Sequence, residues 1–244
     1  MAEKEKLRNK LAVLVVVYTF GVVLAALFLG LFRWLGWVKI FHPERFPHFR
    51  GRLIVVSNHP SLLVETILIP LLFWREYLRH PLTLTPWVTP DRNNFTNHWY
   101  WWWLKVRAIS VKRGDRKAEV TAYREMKEVV NAGGIIHLLP EGGRTGKAKQ
   151  HFESPKHHQK LGVLKRGAAD LVLETGATLL PIWVDNADRV MPLSPEKLYT
   201  FPRIWKGVTL KIGQPVILEQ ENRDEVSQQI AFKLLELADE DEPR

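Results

Sequence analysis

His59 and Glu65 form a pair that could move a proton, and they lie six residues apart near the start of the chain. A neutral imidazole, with an ordinary pKa of ~6.5, can take a proton from a hydroxyl group near neutral pH. A carboxylate beside the ring can orient it and stabilise the imidazolium that forms. The two residue types at this spacing therefore predict a general base, His59, with Glu65 as its orienting partner.

The elements around this pair predict where it lies in the fold. The apolar, β-branched residues 53–56 predict a buried strand, which ends in the turn-forming residues 57–61. The apolar residues 62–72 then predict a helix with Glu65 near its first turn. The strand would bring His59 to its carboxyl end, where open α/β sheets bind their ligands. The alternative for Glu65 is a carboxylate favoured at a helix start by the helix dipole alone.

The rest of the chain alternates between apolar strand-like runs and amphipathic helical ones. This alternation predicts an α/β fold with a mixed, mostly parallel sheet flanked by helices on both faces. Pro181 falls inside one predicted strand, which indicates an edge position or a bulge. Further strands are predicted at 82–85, 108–111, 135–139, 178–184 and 208–212, and helices at 116–131, 161–175 and 225–237.

The N-terminal residues predict a membrane anchor. Residues 11–32 carry no charged side chain, and a helix of that length, at ~1.5 Å per residue, spans the ~30 Å hydrocarbon core of a bilayer. A cleaved signal peptide is the alternative, but the run is long for one and no A-x-A site follows it. Residues 33–41 combine tryptophans with basic residues and predict an interfacial helix, so the anchor is either a spanning helix or a monotopic helical hairpin. We expect an anchor with its interfacial segment at 1–48 and a globular domain at 49–244.

Composition and charge narrow the classes of partner. The net charge of +9 favours an anionic partner, which could be a nucleic acid, an anionic membrane surface or a phosphorylated substrate. No recognised nucleic-acid motif is present, so we expect no nucleic-acid partner. The chain has no cysteine, which excludes disulfides, thiolate zinc sites and a cysteine nucleophile. We expect no metal.

Four sequence blocks, in order, resemble those of the glycerolipid acyltransferase family, which is typified by bacterial lysophosphatidic acid acyltransferases. The resemblance covers about residues 50–220. One departure is clear: the family carboxylate stands five residues after the histidine, where this chain has Val64, and Glu65 stands at six. The blocks are Asn58-His59 with the carboxylate after it, Val111-Lys112-Arg113, the sequence LPEGGRT at 139–145 and the sequence LPIWV at 180–184.

The resemblance implies that residues 49–244 form an acyltransferase domain. Such an enzyme moves an acyl chain directly to the free hydroxyl of 1-acyl-sn-glycerol-3-phosphate and makes phosphatidic acid. Acyl-CoA or acyl carrier protein would be the co-substrate, with no bound cofactor. His59 and Glu65 would be catalytic. The residues implied to bind substrate are Asn58, Lys112, Arg113, Glu141, Gly142, Gly143, Arg144 and Thr145.

Within that set, the resemblance implies distinct roles. Arg113 and Arg144 would hold the acceptor phosphate, since guanidinium groups bind phosphate oxygens bidentately, with Lys112 assisting. Glu141 would order Arg144 or the acceptor backbone. Asn58 or backbone N–H groups at the helix start would stabilise the oxyanion. Five consecutive aromatic residues at 99–103 cannot share one helix face, so some of them would face lipid, the core or an acyl-chain tunnel.

The implied setting is a membrane. The acceptor would be a membrane lipid, and the implied location is the bacterial inner membrane with the catalytic domain in the cytoplasm. Two alternatives stay open. The acceptor could be another lipid, such as glycerol-3-phosphate, a lysophospholipid or a glycolipid. The chain could also be a catalytically silent membrane adaptor with the same fold.

Overall fold

A computed structural model describes residues 2–46, 51–61, 63–97, 99–192, 202–219 and 222–241. Its strands are β1 Val38–Phe41, β2 Leu53–Ser57, β3 Trp87–Val88, β4 Ile135–Leu138, β5 His151–Glu153, β6 Lys160–Gly162, β7 Thr178–Asp185 and β8 Val208–Ile212. Its helices are α1 (residues 2–34), α2 Val64–Leu72, α3 Trp74–Arg79, α4 Trp102–Lys105, α5 Arg116–Asn131, α6 Arg166–Thr175, α7 Ala187–Val190 and α8 Arg223–Asp239.

Six strands form the central sheet in the order β1-β8-β7-β2-β4-β3. Every neighbouring pair is parallel except β7 and β8, which are antiparallel. The strand β2 lies in the interior between β7 and β4, so its carboxyl end, which carries the histidine block, opens at the middle of the sheet. A separate antiparallel hairpin consists of β5 and β6. The predicted mixed, mostly parallel sheet is confirmed.

Helices cover both faces of this sheet, as predicted. One apolar cluster joins alternate residues of β2, such as Leu53 and Val55, to α1, α2, α3 and α7. The other cluster joins Ile54 and Val56 to α5, α6 and α8. These four apolar residues are fully buried, and each large apolar side chain buried in this way stabilises the fold by about 1.5–3 kcal/mol. The alternation of side chains along the strand therefore fixes its register between the two helical layers.

The helix α1 is continuous through two π-helical segments, Val17–Gly21 and Ala26–Leu31. Its stretch Asn9–Trp34 is long and apolar enough to cross a membrane, by length and composition. The helix packs on α2 and α3, where the Tyr77 hydroxyl donates a hydrogen bond of 3.0 Å to the Gly21 carbonyl. The interfacial helix and the hairpin expected over 33–41 are wrong. Residues 38–41 instead form β1, because they pair in register with β8 and extend the sheet.

Three further predictions were wrong in detail. Residues 82–85 form a turn, and the strand in that region is the two-residue β3. Residues 108–111 make only isolated bridges, Val88 with Ala108 and Asp91 with Val111. The edge position for Pro181 is also wrong, since β7 is an interior strand. Ile182 pairs with Ile212 and Leu179 bridges Val216, so the one extra residue on this side of β7 lies within 213–215 and not at Pro181.

Candidate active site

The predicted contact between His59 and Glu65 is present. The Nδ1 atom of His59 and Oε1 of Glu65 form a hydrogen bond at the carboxyl end of β2. The hydroxyl of Ser61 donates to the other carboxylate oxygen of Glu65 at 2.6 Å and accepts a hydrogen bond from the Val64 N–H at 3.0 Å. Because α2 begins only at Val64, no rigid helix separates His59 from Glu65. The turn therefore absorbs the extra residue of spacing.

The Glu65 carboxylate is fully buried, and its charge is held by its neighbours. Burial alone would raise the pKa of Glu65, because a buried charge loses its hydration. The hydrogen bonds from His59 and Ser61 outweigh that effect, and the pKa of Glu65 is lowered below its ordinary value. An ionised carboxylate on Nδ1 leaves Nε2, at the other end of the ring, for chemistry.

Glu141 holds the main chain of the histidine from the next block. Its Oε1 accepts hydrogen bonds of 2.7 Å from the His59 N–H and from the Thr145 hydroxyl. Its Oε2 accepts one of 2.6 Å from the Gly162 N–H, and burial raises the pKa of Glu141 although these three donors oppose that shift. The Thr145 N–H donates to the His59 carbonyl at 2.9 Å. The LPEGGRT block thus forms hydrogen bonds with both the N–H and the carbonyl of His59.

These contacts give the hydrogen-bond partners of three predicted substrate-binding residues. The Glu141 carboxylate forms no hydrogen bond or ion pair with Arg144 and holds the loop of His59 instead. The N–H and the hydroxyl of Thr145 also form hydrogen bonds that hold this loop. The Asn58 amide donates to the Val184 carbonyl at 3.0 Å and accepts from the Val184 N–H at 2.8 Å, which fastens the turn to β7. This geometry favours a positioning role for Asn58 over a role as oxyanion donor.

The two glycines of the block differ. Gly142 has φ +67°, and a Cβ there would lie 2.7 Å from the Lys165 side chain, so only glycine fits without strain. A Cβ on Gly143 would meet no atom within 4 Å in the part of the chain that the structure describes. The main chain at Gly143 is thus open to a close approach.

The predicted cations take two different positions. Lys112 pairs with Asp115 at 2.9 Å, and Arg113 Nε lies 3.9 Å from an Asp91 carboxylate oxygen. Neither contacts His59 or Glu65. Arg144 immediately precedes Thr145 and makes no ion pair with any residue in the described ranges. Of the predicted phosphate ligands, Arg144 is therefore the one that the structure brings next to the histidine loop.

Sequence reasoning missed several positioning residues. Ser57 and His137 form a buried hydrogen bond of 2.9 Å between the ends of β2 and β4. Burial lowers the pKa of His137 to about 3, and the carboxylate of Glu65 opposes that shift. Ser61 belongs to the run 57–61, whose residue types favour helix caps, but its hydrogen bond to Glu65 could not be predicted from that. For Gly162 no local motif exists, since its role depends on the fold bringing it to Glu141.

The aromatic segment divides between solvent-facing and packed positions. Trp99 and Trp102 are exposed, whereas Trp103 stacks on Phe20 of α1 with ring centroids 6.0 Å apart. Trp103 and Phe20 also line an apolar cavity of about 110 Å³ that reaches Thr66, the residue after Glu65. His98 lies outside the described residues, and so do the side chains of 100 and 104.

Comparisons with known proteins agree with this architecture. A family model described as Acyltransferase matches residues 38–185, which is more than half of the chain. The crystal structure of the 1-acyl-sn-glycerophosphate (LPA) acyltransferase PlsC from Thermotoga maritima is similar in fold, with a TM-score of 0.57 at 20% identity, over 98% of this chain and 99% of that one. A chloroplastic 1-acyl-sn-glycerol-3-phosphate acyltransferase, BAT2 of Brassica napus, is 25% identical over 96 residues. That match covers 39% of this chain and 25% of the relative.

Proposed function

This chain belongs to the acyltransferase family and is an acyltransferase enzyme, and we propose that it acylates the free hydroxyl of 1-acyl-sn-glycerol-3-phosphate to give phosphatidic acid. The observation that carries the proposal is the buried hydrogen bond between Glu65 and His59 at the open end of β2. An intact pair of this kind disfavours a silent adaptor, because a buried carboxylate is costly to keep without a role for its charge.

The proposed chemistry is direct transfer. His59 donates its Nδ1–H to Glu65, so Nε2 carries the lone pair that takes the proton from the acceptor hydroxyl. The acceptor oxygen then attacks the carbonyl carbon of the acyl thioester. The C–S bond of the tetrahedral intermediate breaks, and the imidazolium returns the proton to the leaving thiolate. Glu65 stabilises the imidazolium between these two steps.

Arg144 is the proposed ligand for the acceptor phosphate. It lies beside Thr145, whose N–H holds the His59 carbonyl, and its guanidinium has no carboxylate partner in the described ranges. A phosphate held there would fix the glycerol hydroxyl relative to Nε2. Arg113, in a neighbouring loop, is a second proposed phosphate ligand. Its ion pair with Asp91 is weak, because 3.9 Å separates Nε from the carboxylate oxygen. The positive net charge favours the same anionic substrates and an anionic donor, acyl-CoA or acyl carrier protein.

The proposed location is a membrane surface. On α1, Leu11 is 60% exposed and Val23 is 63% exposed. Trp34, at the end of this helix, is 82% exposed. Trp99, at 80% exposure, adds an aromatic side chain from the segment that packs on α1. Apolar residues with tryptophans in this arrangement suit a bilayer and its headgroup layer. We propose the bacterial inner membrane with the domain on the cytoplasmic side, as the resemblance implies.

A panel of acceptors tests the function. The full-length protein in membranes or detergent is given acyl-CoA or acyl carrier protein donors with lysophosphatidate, glycerol-3-phosphate, a lysophospholipid without a free phosphate monoester, and monoacylglycerol. We expect the highest kcat/KM with lysophosphatidate. A higher value with another acceptor would replace the proposed substrate, and no transfer to any acceptor would contradict the function.

Arg144→Ala identifies the phosphate ligand. We expect KM for lysophosphatidate to rise by about tenfold or more, since a charge-assisted hydrogen bond contributes roughly 1.5–3 kcal/mol, while any rate with monoacylglycerol is unchanged. Arg166→Ala, an exposed arginine at the start of α6, is the matched control and should leave both constants unchanged. An equal loss with both acceptors would show that Arg144 does not act on the phosphate.

A further inference from the structure

Two apolar cavities lie on opposite sides of α2, the helix that carries Glu65. Cavity A, of about 110 Å³, is lined by residues that include Val16, Phe20, Thr66, Pro70, Val88 and Trp103. Cavity B, of about 160 Å³, is lined by residues that include Phe28, Phe32, Val64, Leu68, Met191 and Ile204. Ile67 lines both.

Helix geometry explains why the catalytic carboxylate falls between these cavities. Successive residues of an α-helix are ~100° apart. Glu65 is fully buried against the sheet, so its neighbours Val64 and Thr66 must project to the two flanks of the helix. Val64 lines cavity B and Thr66 lines cavity A. Ile67 projects away from Glu65 and forms the ridge between the cavities.

The two cavities also use different parts of the fold. Cavity A lies towards the β3 side of the sheet, through Val88, and under the first half of α1. Cavity B lies towards β1 and β8, through Val38 and Val208, and under Phe28 and Phe32 of the same helix. Thus α1 covers both cavities, at separate points along its length. The exposed face of α1 connects the cavities to the side of the protein proposed to face lipid.

The size and chemistry of the cavities suit hydrocarbon. An apolar cavity of ~150 Å³ in a protein stays dry and accepts a benzene-sized ligand. Each cavity therefore has room for several methylene groups, next to the residue that follows Glu65 in cavity A and the residue that precedes it in cavity B. The proposed reaction brings together two acyl chains, one on the donor and one on the acceptor, and each needs an apolar environment near His59.

We propose that α2 separates two acyl-chain sites, so that the donor chain occupies one cavity and the acceptor chain occupies the other. This inference rests on the proposed function, since only an acceptor that already carries a chain requires two sites. Chain-length preference for the two substrates is then set by different residues, and a change in one cavity acts on one substrate only.

Filling each cavity separately tests the proposal. Val16→Phe narrows cavity A, and Val15→Phe, on the neighbouring exposed position of α1, is its control. Ile204→Phe narrows cavity B, and Ile217→Phe, at a position 61% exposed, is its control. Rates are measured with donors of increasing chain length at a fixed acceptor, and with lysophosphatidates of increasing chain length at a fixed donor.

We expect each cavity variant to lower kcat/KM for the long chains of one substrate by about tenfold relative to the short chains, and to leave the length profile of the other substrate unchanged. The two variants should affect different substrates, and both controls should match the wild type. If both variants shift the same profile, or neither shifts any, the two-site proposal is wrong. Because these profiles are ratios measured on an active wild type, that failure is distinct from a wild type that transfers no acyl chain.

Discussion

At the scale of single residues, the ionised state of Glu65 depends on donors that surround it. Its burial is complete, and the hydrogen bonds from His59 and Ser61 keep its pKa lowered. A protonated Glu65 could no longer stabilise a positive imidazolium ring. Activity therefore requires an ionised Glu65, and a change that raises its pKa should extend the loss of activity at acidic pH to higher pH.

Ser61→Ala tests this dependence. Loss of the 2.6 Å hydrogen bond removes one cause of the lowered pKa, so the acidic limb of kcat should move to higher pH, with kcat reduced by ~10-fold at neutral pH. Ser154→Ala removes a buried hydroxyl that accepts from Gln159 in the β5–β6 hairpin, away from the site, and should leave the limb in place. An unmoved limb in Ser61→Ala would mean that Ser61 does not hold the charge of Glu65.

Single residues include both the contacts that the sequence predicted best and those that it could not predict. His59 and Glu65 could be paired from their residue types and spacing, because the chemistry of a general base needs both. The partners of Glu141 could not, because its three donors come from positions 59, 145 and 162, which only the fold brings together. The same resemblance that identified Glu141 also suggested Arg144 as its partner, which the structure does not support.

At the scale of elements, Glu141 joins the β4 end, the β2 end and the β5–β6 hairpin through one carboxylate. Its Oε2 lies so close to Gly162 that a Cβ at position 162 would be 2.6 Å away. Any side chain there would push the hairpin from the site. These hydrogen bonds explain how a surface hairpin is fixed relative to the loop that carries His59.

Glu141→Gln should weaken these hydrogen bonds. The three groups that contact the Glu141 carboxylate are all hydrogen-bond donors, and a glutamine amide replaces one of its two oxygens with an NH2 group, which also donates. At least one buried donor therefore loses its acceptor, at a cost of about 1–3 kcal/mol in the free energy of unfolding. We expect a lower Tm and a kcat reduced by ~10²-fold, because the main chain of His59 is displaced. Glu153→Gln, an exposed carboxylate on β5, is the control and should change neither. A Glu141→Gln protein with wild-type Tm and rate would refute this role of Glu141.

Element prediction succeeded where local signals were strong. The helix at 116–131 matches α5, which Asp115 caps by accepting from the Ala118 N–H at 3.2 Å. It failed at 38–41, where a short strand beside a tryptophan-rich run has no alternation long enough to identify it. That strand depends on β8, about 170 residues later in the chain, for its pairing.

At the scale of the whole molecule, the buried neutral His137 links stability to pH. Its folded-state pKa of about 3 lies below the ordinary value of 6.5. Between these two values the unfolded chain binds a proton that the native state does not, so stability falls as pH decreases from 6.5, by at most about 1.4 kcal/mol per pH unit. Glu141 contributes with the opposite sign at the acidic end, since its pKa is raised on folding.

Thermal unfolding of the full-length protein in detergent at pH 7, 6 and 5 measures this effect. We expect the Tm of the wild type to fall across the series and that of His137→Gln, which keeps a partner for Ser57 but does not titrate, to fall less steeply. His158→Gln, at an exposed position, is the control and should follow the wild type. Equal slopes for the wild type and His137→Gln would show that His137 does not set the acid sensitivity.

The central claim is that His59, held by Glu65, is the base that transfers an acyl chain to lysophosphatidate. The most direct measurement is the initial rate of phosphatidic acid formation from acyl-CoA and lysophosphatidate by purified full-length wild type, His59→Ala and the control His158→Ala. We predict a wild-type rate that His158→Ala retains and His59→Ala lowers by ~10²–10⁴-fold, the usual contribution of a positioned general base. Phosphatidic acid formation by His59→Ala at the wild-type rate would contradict the account.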